Sequence, residues 1–472
     1  MSAFPYPNWT IQDAITPQPG PTWDISGSPS FAVGASSVYF ALSAKGYMDS
    51  ASSPNYLSIF VGSVDLSGNL LWVDTFGSNL QPHLSDAWNP VIRIGPNDEV
   101  YLIYMTNGRI QTGTSSGATD LVLARIDTTN GSRRVTWIKQ DSTLNSIVND
   151  VEPSMALDTN YGYLYVSDTQ QYPVSQIMIR CYNLNGNLLW LYVQPPRRTE
   201  YINATISNSK SCIETDNNGS FYIAFQYSGI TPISVTNIPN TQIEIAKFHT
   251  IYNSIFYDYV WDWTESNLEN VLWAPDGFSS NPCISYNNNK LSFAFLTSGA
   301  IPGLKHTSSQ YDVVYGTIDS SGGLRWIRQG LGSNIPIYNT YSLSLYSFGI
   351  DLFISAVVHS NQSYDSIFIW KIDDFAGKEQ WKFSDDVTYF PYIYAARNGF
   401  NNVFPNVGFS FRSSSIVAKN NRFYLGCITT NQLHPGPANP RWATLTQFVE
   451  RNYDLLFDAY RHLTLNCLNT CS

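Results

Sequence analysis

The chain repeats one short pattern along its length: a tight turn, an apolar residue and then an aromatic residue. "VDLSGNLLWVD" (64–74), "YNLNGNLLWLY" (182–192) and "TIDSSGGLRWIR" (317–328) are three copies. The aromatic residues of the copies stand 53 to 76 residues apart, at Trp9, Trp72, Trp137, Trp190, Phe256, Trp326, Trp381 and Phe457. Such a repeat is too long for one hairpin and suits four strands with their loops, so it constrains the fold strongly.

One copy shows how the four strands arise. "PVIRIGPNDEVYLIYMTNG" (90–108) has two apolar runs around a Pro-Asn-Asp turn. "LVLARIDTTNGSRRVTWIKQ" (121–140) has two more around an Asn-Gly turn, which is a strong hairpin signal. Each unit is therefore two linked hairpins, an antiparallel sheet with strands A, B, C and D.

Seven such sets predict an all-β fold, a seven-bladed β-propeller of four-stranded antiparallel blades in one domain of residues 1–472. A lone sheet with two apolar faces cannot bury both, whereas sheets packed face to face around an axis can. A β-sandwich would not explain the repeat. The predicted segments are an N-terminal latch or edge strand (1–22), blades at 23–78, 79–143, 144–198, 199–265, 266–334, 335–390 and 391–466, and a tail (467–472).

Ring closure has two alternatives. "NWTIQDAI" (8–15) reads as an extra D strand ahead of the first A strand, while "LLFDAYRH" (455–462) already supplies a D strand for the last blade. The N-terminal strand either pairs into the final blade or adds at an outer edge. Pairing into the final blade would remove an exposed edge and latch the ring.

Composition excludes several classes of protein. Aromatic residues reach 15%, charged residues only 13%, and the net charge is −10. No run of Lys or Arg is available to neutralise phosphates, so we expect no nucleic-acid partner. There is no apolar stretch of 18 residues and no signal-peptide pattern at the first residues, so we expect no membrane insertion and a place in the cytoplasm or a virion.

The repeats resemble two families. "TSSGATDLVLARIDTTNG" (114–131) and "TSSQYDVVYGTIDSSGGLRWIRQGLGS" (307–333) resemble the bacterial seven-bladed β-propeller repeat. "IFIWKIDDFAGKEQWKFS" (367–384) is similar to a pyrroloquinoline-quinone-type repeat, in which Gly-Lys-x-x-Trp docks neighbouring blades. The resemblance implies the fold and, for Trp72, Trp137, Trp190, Trp326 and Trp381, a docking role. It does not imply the quinone, since no adjacent cysteine pair or recognisable calcium ligand set is present.

Catalytic motifs are absent from the sequence. The six histidines share no spacing, and there is no HExxH motif, P-loop or G-x-S-x-G elbow. The repeated turn aspartates suit hairpin turns better than calcium loops. We therefore expect a protein without catalytic residues, cofactor or resident metal.

Candidate binding residues follow from the loops between blades. Three D–A loops end in polar residues before a proline, which would place Asp86, Asn89, Asp150, Glu152 and Asn281 near the mouth of the central channel. A ring of carboxylates and amides there could bind a cation or a polar ligand. The alternative is that these side chains satisfy the ends of strand A.

An aromatic-rich insertion at 257–278 gives a second candidate. Trp261, Trp263 and Trp273 could form a stacking platform for sugars or a partner surface, or they could cap the edge of their own blade. Long B–C loops on the mouth side are further recognition candidates.

These features favour a non-catalytic propeller that acts as a binding or structural scaffold through loops on one face, with a protein or glycan partner. A virion or surface-attachment role is suggested by composition alone. The alternatives are a lectin-like carbohydrate-binding propeller, or a glycan hydrolase or lyase that uses carboxylates at the channel mouth.

Overall fold

The regular structure of the protein consists of β-strands joined by turns. The computed structural model describes residues 4–12, 29–45, 56–76, 80, 82, 85–110, 112–114, 118–129, 133–171, 176–194, 202–205, 211–230, 240–251, 254–262, 279–298, 304, 312–330, 337–360, 365–384, 414–419, 422–429 and 442–451. All structural statements below concern these residues.

The strands fall into sheets that follow one another along the chain, numbered here 1 to 7. Sheet 1 is β2 (Ser30–Val33), β3 (Ser37–Lys45), β4 (Leu57–Asp65) and β5 (Leu70–Asp74); sheet 2 is β6 (Ala87–Ile94), β7 (Val100–Thr106), β8 (Asp120–Asp127) and β9 (Arg134–Lys139); sheet 3 is β10 (Asn149–Asp158), β11 (Tyr163–Gln171), β12 (Gln176–Asn183) and β13 (Leu188–Gln194).

The remaining sheets continue the same order. Sheet 4 is β14 (Ile202–Thr205), β15 (Cys212–Thr215), β16 (Ser220–Ile230), β17 (Asn240–Ile251) and β18 (Ser254–Asp262); sheet 5 is β19 (Ser279–Asn287), β20 (Lys290–Thr297), β21 (Asp312–Asp319) and β22 (Leu324–Gln329); sheet 6 is β23 (Ile337–Phe348), β24 (Asp351–Ser360), β25 (Asp365–Asp373) and β26 (Lys378–Ser384); sheet 7 is β27 (Ser414–Lys419), β28 (Arg422–Thr429), β29 (Trp442–Arg451) and β1 (Phe4–Gln12).

The sheets confirm an all-β propeller with four-stranded antiparallel blades, but not seven of them. The described residues form six four-stranded sheets, and sheet 4 holds five strands. Its departure has a local cause: β14 and β15 pair with different stretches of β16, at Ser228–Ile230 and Phe221–Ala224. The prediction of seven four-stranded blades is therefore wrong in its number.

The N-terminal strand closes the last sheet. β1 pairs antiparallel with β29, from Phe4 opposite Arg451 to Gln12 opposite Thr444, with a register shift between Pro7 and Trp9. Pairing into the final blade is thus the arrangement that the structure shows. The alternative D strand at 455–462 lies outside the described residues.

Neighbouring sheets bury their apolar faces against each other. Tyr165 of sheet 3 lies 4.6 Å from Phe221 of sheet 4 between ring centroids, and Phe353 of sheet 6 lies 5.3 Å from Phe423 of sheet 7. Central strands are covered on both faces, and all seven residues of β7 are buried. The continuous apolar runs of these strands follow from this two-sided burial.

Serine hydroxyls join the innermost strands of successive sheets. A backbone N–H of one inner strand donates to the serine of the sheet before it at 2.9 to 3.2 Å: Ile92 to Ser30, Ile213 to Ser154, Ser347 to Ser285, and Ile416 to Ser344. The edge of an inner strand that faces the axis has no ladder partner, and a buried N–H without a partner costs about 1–3 kcal/mol. These hydroxyls meet that need and hold the inner strands in register around the axis.

Two of the repeat tryptophans make the same contact between neighbouring sheets. Trp137 Nε1 donates to Leu184 O at 3.1 Å, and its ring covers Gly186 in the turn of sheet 3. Trp326 Nε1 donates to Asp374 O at 3.1 Å, and its ring covers Gly377 in the turn of sheet 6. Each indole therefore rests on the β-turn of the following sheet.

The other repeat tryptophans lie in less regular surroundings. Trp72 makes edge contacts with Tyr39 and Phe76, at 6.4 and 6.3 Å between ring centroids. Trp190 is buried and stacks on Phe221 at 5.8 Å. Trp381 lies on β26 opposite Lys371, and its side chain is outside the described residues.

Two glycines of sheet 6 allow the docking contact to be measured. Gly377 has φ +65°, and a Cβ there would lie 2.6 Å from the Trp326 ring; Gly349 has φ +61° and nothing within 4 Å. In both alanine variants, a residue with a Cβ must adopt the left-handed conformation, which costs about 1–2 kcal/mol of stability. We expect Gly377→Ala to lose about 1–3 kcal/mol more, because the added methyl displaces the indole.

Urea unfolding of the two variants checks this expectation. Equal losses of unfolding free energy in Gly377→Ala and Gly349→Ala would show that the ring of Trp326 does not hold the seam.

Candidate functional site

The inner strands begin with a repeated bulge. Asn89, Glu152 and Asn281 each precede a proline and have φ of 51°, 59° and 52°. The strand register shifts at each of them, because the residue and its proline together oppose one residue on the partner strand. Asparagine adopts this left-handed conformation more readily than other residues with a Cβ, whereas Glu152 is unusual there.

The bulges bring two of the predicted site residues, Asn89 and Glu152, to the sulfur atom of Met105. Asn89 Nδ2 donates to Met105 Sδ at 3.6 Å, and the backbone N–H of Glu152 donates to the same sulfur at 3.4 Å. Asn89 and Asn281 also line a cavity between the inner strands, on the axis of the ring. Pro153, the residue after Glu152, lines it as well.

Asp86 lies in a structural position. Its Oδ1 accepts a hydrogen bond from the Leu57 N–H at 2.8 Å, and its own N–H donates to Asn107 Oδ1 at 2.8 Å. The carboxylate thus links sheet 2 to the start of β4 in sheet 1.

Asp150 lies in a buried cluster with Asp168 and Arg180. Arg180 Nη1 donates to Asp168 Oδ1, and Arg180 Nη2 lies 3.9 Å from Asp150 Oδ1. Ser146 donates to Asp150 through its N–H at 2.8 Å and its hydroxyl at 2.9 Å. Both carboxyl groups are fully buried, and Asp150 is not among the residues that line the axial cavity.

The cluster holds two carboxyl groups against one guanidinium. Burial raises the pKa of Asp168 to about 8, the neighbouring Asp150 adds to the rise, and Arg180 opposes it. Burial also raises the pKa of Asp150, against the hydrogen bonds from Ser146 and the charge of Arg180. Two carboxylates cannot both ionise cheaply beside one cation, so the cluster retains a proton at neutral pH.

The aromatic insertion is described only at its start. Trp261 lies on β18 opposite Ile245, and its side chain is outside the described residues. Trp263 and Trp273 also lie outside them.

An axial cavity of about 470 Å³ lies between the inner strands. Every sheet contributes lining residues, from Phe31 in sheet 1 to Val417 in sheet 7. The volume falls in the range of pockets that bind small molecules. The cavity is therefore the candidate functional site.

An ion pair lies within this cavity. Arg93 Nη2 of β6 lies 3.3 Å from Glu214 Oε1 of β15, and Arg93 Nη1 also donates to Ile92 O at 3.0 Å. About a quarter of each side chain is exposed, 28% for Arg93 and 27% for Glu214. Burial raises the pKa of Glu214, and Arg93 opposes that rise.

Tyr346 of β23 adds a phenol to the same region. Burial raises its pKa to about 12, the charge of Glu214 adds to the rise, and Arg93 opposes it. Guanidinium, carboxylate and phenol thus converge from sheets 2, 4 and 6. A neutral phenol at physiological pH offers one donor and one acceptor.

The sequence analysis missed Arg93 and Glu214. The two residues are 121 positions apart, and no local motif connects them. The available signal was weaker: both are charged residues near the end of inner strands, at a position where other copies carry an apolar or aromatic residue, such as Ala32, Ala156 or Tyr346.

In the described ranges, no group of three or more His, Cys, Asp and Glu side chains is arranged to hold a metal ion. No helix in the described part of the chain has the length and hydropathy that a membrane span requires.

Comparison with known sequences gives no relative. No protein family matches the chain, and no curated protein matches it. The resemblance to bacterial and quinone-type repeats therefore finds no support as a family assignment.

Solved structures give similarities of fold. An exo-1,5-α-L-arabinanase from a bovine ruminal metagenomic library is 10% identical, covers 77% of this chain and 98% of its own, and has a TM-score of 0.36. The GH93 α-L-arabinofuranosidase of Fusarium graminearum, in complex with arabinobiose, is 10% identical over 76% and 92%, with a TM-score of 0.42. U3-55K is 9% identical over 90% and 98%, with a TM-score of 0.42. Similarities at this level carry no argument about the activity of this chain.

The buried cluster predicts how stability depends on pH. The native state keeps the proton of Asp168 up to about pH 8, whereas the unfolded chain releases it near the ordinary pKa of 3.8. Unfolding therefore releases a proton between these values, so stability falls as pH rises from about 4 to about 8, by at most about 1.4 kcal/mol per pH unit. Asp168→Asn should flatten this slope.

Urea unfolding at pH 5, 6, 7 and 8 measures the slope. Asp319→Asn is the matched control. Hydrogen bonding from Ser321 lowers the pKa of this turn aspartate, so Asp319 changes the pH dependence of stability only at pH values below this range. An Asp168→Asn slope equal to that of the parent protein would contradict the expectation.

Proposed function

We propose that the protein is a non-catalytic carbohydrate-binding propeller whose axial cavity receives a neutral saccharide. The observation that carries the proposal is the Arg93–Glu214 pair, partly exposed inside a cavity of about 470 Å³. It supplies adjacent donors and acceptors at a single point of the lining.

The charges of the pair favour a neutral, hydroxyl-rich ligand. Arg93 and Glu214 cancel each other, so the pair attracts neither an anion nor a cation by net charge. A hydroxyl group both donates and accepts, and neighbouring hydroxyls can bond to the carboxylate and the guanidinium together. Tyr286 and Tyr346 add aromatic surface and phenol groups to the lining.

Hydrolysis or lysis of a glycan is the less favoured alternative. Glycoside hydrolysis ordinarily uses two carboxyl groups beside the scissile bond. Among the described residues that line the cavity, Glu214 is the one acidic side chain. Asp150 is buried in its own ion cluster, so it does not supply the second group.

A scaffold function through the long B–C loops remains a second proposal. Most residues of these loops, at 46–55, 231–239, 299–311 and 430–441, lie outside the described residues. A protein partner, a virion role and the stacking role of Trp263 and Trp273 therefore stay predictions. The net charge of −10 continues to argue against a nucleic-acid partner.

We also infer that sheet 4 acts as a single blade although it holds five strands. β14 and β15 share one edge of β16, because β17 occupies the other, so sheet 4 is four positions wide. Sheet 4 packs Phe221 against Tyr165 of sheet 3 and stacks Tyr222 on Tyr286 of sheet 5. These contacts support a blade with a divided inner strand.

A binding panel tests the saccharide proposal. The protein is titrated with mono- to hexasaccharides of glucose, galactose, mannose and arabinose, and binding is measured by calorimetry. We expect at least one series to bind, and Glu214→Gln to weaken it about 10- to 100-fold, because a charge-assisted hydrogen bond is lost.

Glu99→Gln is the matched control. Glu99 also pairs with an arginine, Arg125 at 2.8 Å, but it lies outside the cavity lining. Absence of binding across the whole panel would overturn the proposal, as would equal losses of affinity in Glu214→Gln and Glu99→Gln.

A further inference from the structure

The outer strand of sheet 3 differs from the other outer strands in its edge. The outer edge of each sheet carries backbone N–H and C=O groups that pair with no other strand of the described residues. Such an edge is a template for another chain, and proteins usually protect it with charged residues or prolines. Five outer strands, β5, β9, β18, β22 and β26, carry at least one charged residue, and β1 carries Pro5 and Pro7. β13, with the sequence LLWLYVQ, carries neither a charge nor a proline.

The two faces of β13 are covered to different extents. Trp190 and Tyr192 pack against phenylalanine rings of sheet 4, at 5.8 and 5.6 Å between ring centroids. Leu191 and Val193 alternate with them, so they point to the other face, where they remain 49% and 37% exposed. Ile327, which follows the repeat tryptophan of sheet 5 as Leu191 follows that of sheet 3, is buried. The open edge of β13 is therefore flanked by exposed aliphatic side chains.

The regular part of β13 can pair with itself. From Trp190 to Gln194 the strand pairs with β12 without a register shift. A two-fold axis through Tyr192 would set this stretch antiparallel to the same stretch of a second copy, with Leu191 of one copy opposite Val193 of the other. Directly opposite side chains share a face of the sheet, with Cβ atoms about 4.5–5.5 Å apart. The exposed aliphatic side chains of the two copies would then cover one another.

Charge distinguishes β13 from the other outer strands as a strand for self-pairing. The chain has a net charge of −10, so two copies attract each other at no long range and must meet where charges do not oppose. β9 and β22 each carry two positive charges, and self-pairing of either would set four like charges along one pair of strands. Residues 187–193 are uncharged, apolar and free of proline, which is typical of segments that pair with identical segments.

We propose that β13 is a self-association edge, through which two copies of the protein pair antiparallel about Tyr192 and join their third sheets into one eight-stranded sheet. The partner that this edge fits is a second copy of the chain. The proposal does not rest on saccharide binding, because the axial cavity is lined by the inner strands and their turns, at the opposite edge of each sheet. A short strand pair forms an interface smaller than that of a permanent dimer, so the dimer dissociates on dilution.

Sedimentation velocity of the whole chain from about 1 to about 200 µM measures this equilibrium, since weak interfaces assemble only at high concentration. We expect monomer at the lowest concentration and a rising fraction of dimer above it. Leu191→Lys should weaken the dimer at least about 10-fold, because its ammonium group lies against an aliphatic side chain and loses water. Ile350→Lys is the matched control. It adds the same charge at an apolar residue that is 68% exposed in a turn of sheet 6, so it should leave the dimer unchanged.

A double variant tests the register. In Leu191→Lys/Val193→Glu, the lysine of each copy lies opposite the glutamate of the other, so we expect the affinity to return to within about 3-fold of the parent value. A double variant no tighter than Leu191→Lys would contradict pairing about Tyr192. Monomer at every concentration, or equal weakening by Leu191→Lys and Ile350→Lys, would overturn the self-association edge. Circular dichroism checks that each variant keeps the parent fold, as expected for side chains that are exposed.

Discussion

The pairing of β1 with β29 is the constraint on which the other contacts depend. Each sheet has two apolar faces, and each face needs a neighbour. An open array would leave one face of sheet 1 and one face of sheet 7 in water. The strand at Phe4–Gln12 completes the sheet that begins at Ser414, so the first and last strands of the described chain meet in one sheet. That sheet in turn covers sheet 1, since Val417 and Tyr424 pack in one buried cluster with Phe31 and Phe40.

Inside the ring, the inner strands face a second constraint. Their free edges point at the axis, where a row of unpaired N–H groups would be costly. Serine hydroxyls of the preceding sheet accept hydrogen bonds from several of these groups, and bulges at Pro90, Pro153 and Pro282 shift the strand register near the D–A side. The lining that remains is a fixed frame, and the variable side chains on it determine which ligand is bound.

The propeller could be predicted because its signals are local. A turn such as Asp65 to Asn69 satisfies its own hydrogen bonds, so it can be recognised without its surroundings. The divided inner strand of sheet 4 could not be predicted. Whether one strand or two lie along the edge of β16 depends on pairing between distant segments, which no local sequence pattern shows. Asn89 and Asn281 were found through the prolines that follow them. Asp150 carries the same local signal, but its side chain turns into a buried cluster with Arg180, and Arg93 and Glu214 meet only after the ring has formed.

The docked tryptophans have a consequence for spectroscopy. The indole of Trp137 belongs to sheet 2 in the chain but rests on Gly186 of sheet 3, and that of Trp326 spans sheets 5 and 6 in the same way. The emission of either residue therefore responds to the separation of two neighbouring sheets. A variant that keeps one of these two indoles and none of the other 12 tryptophans would carry an optical probe of a single seam of the ring.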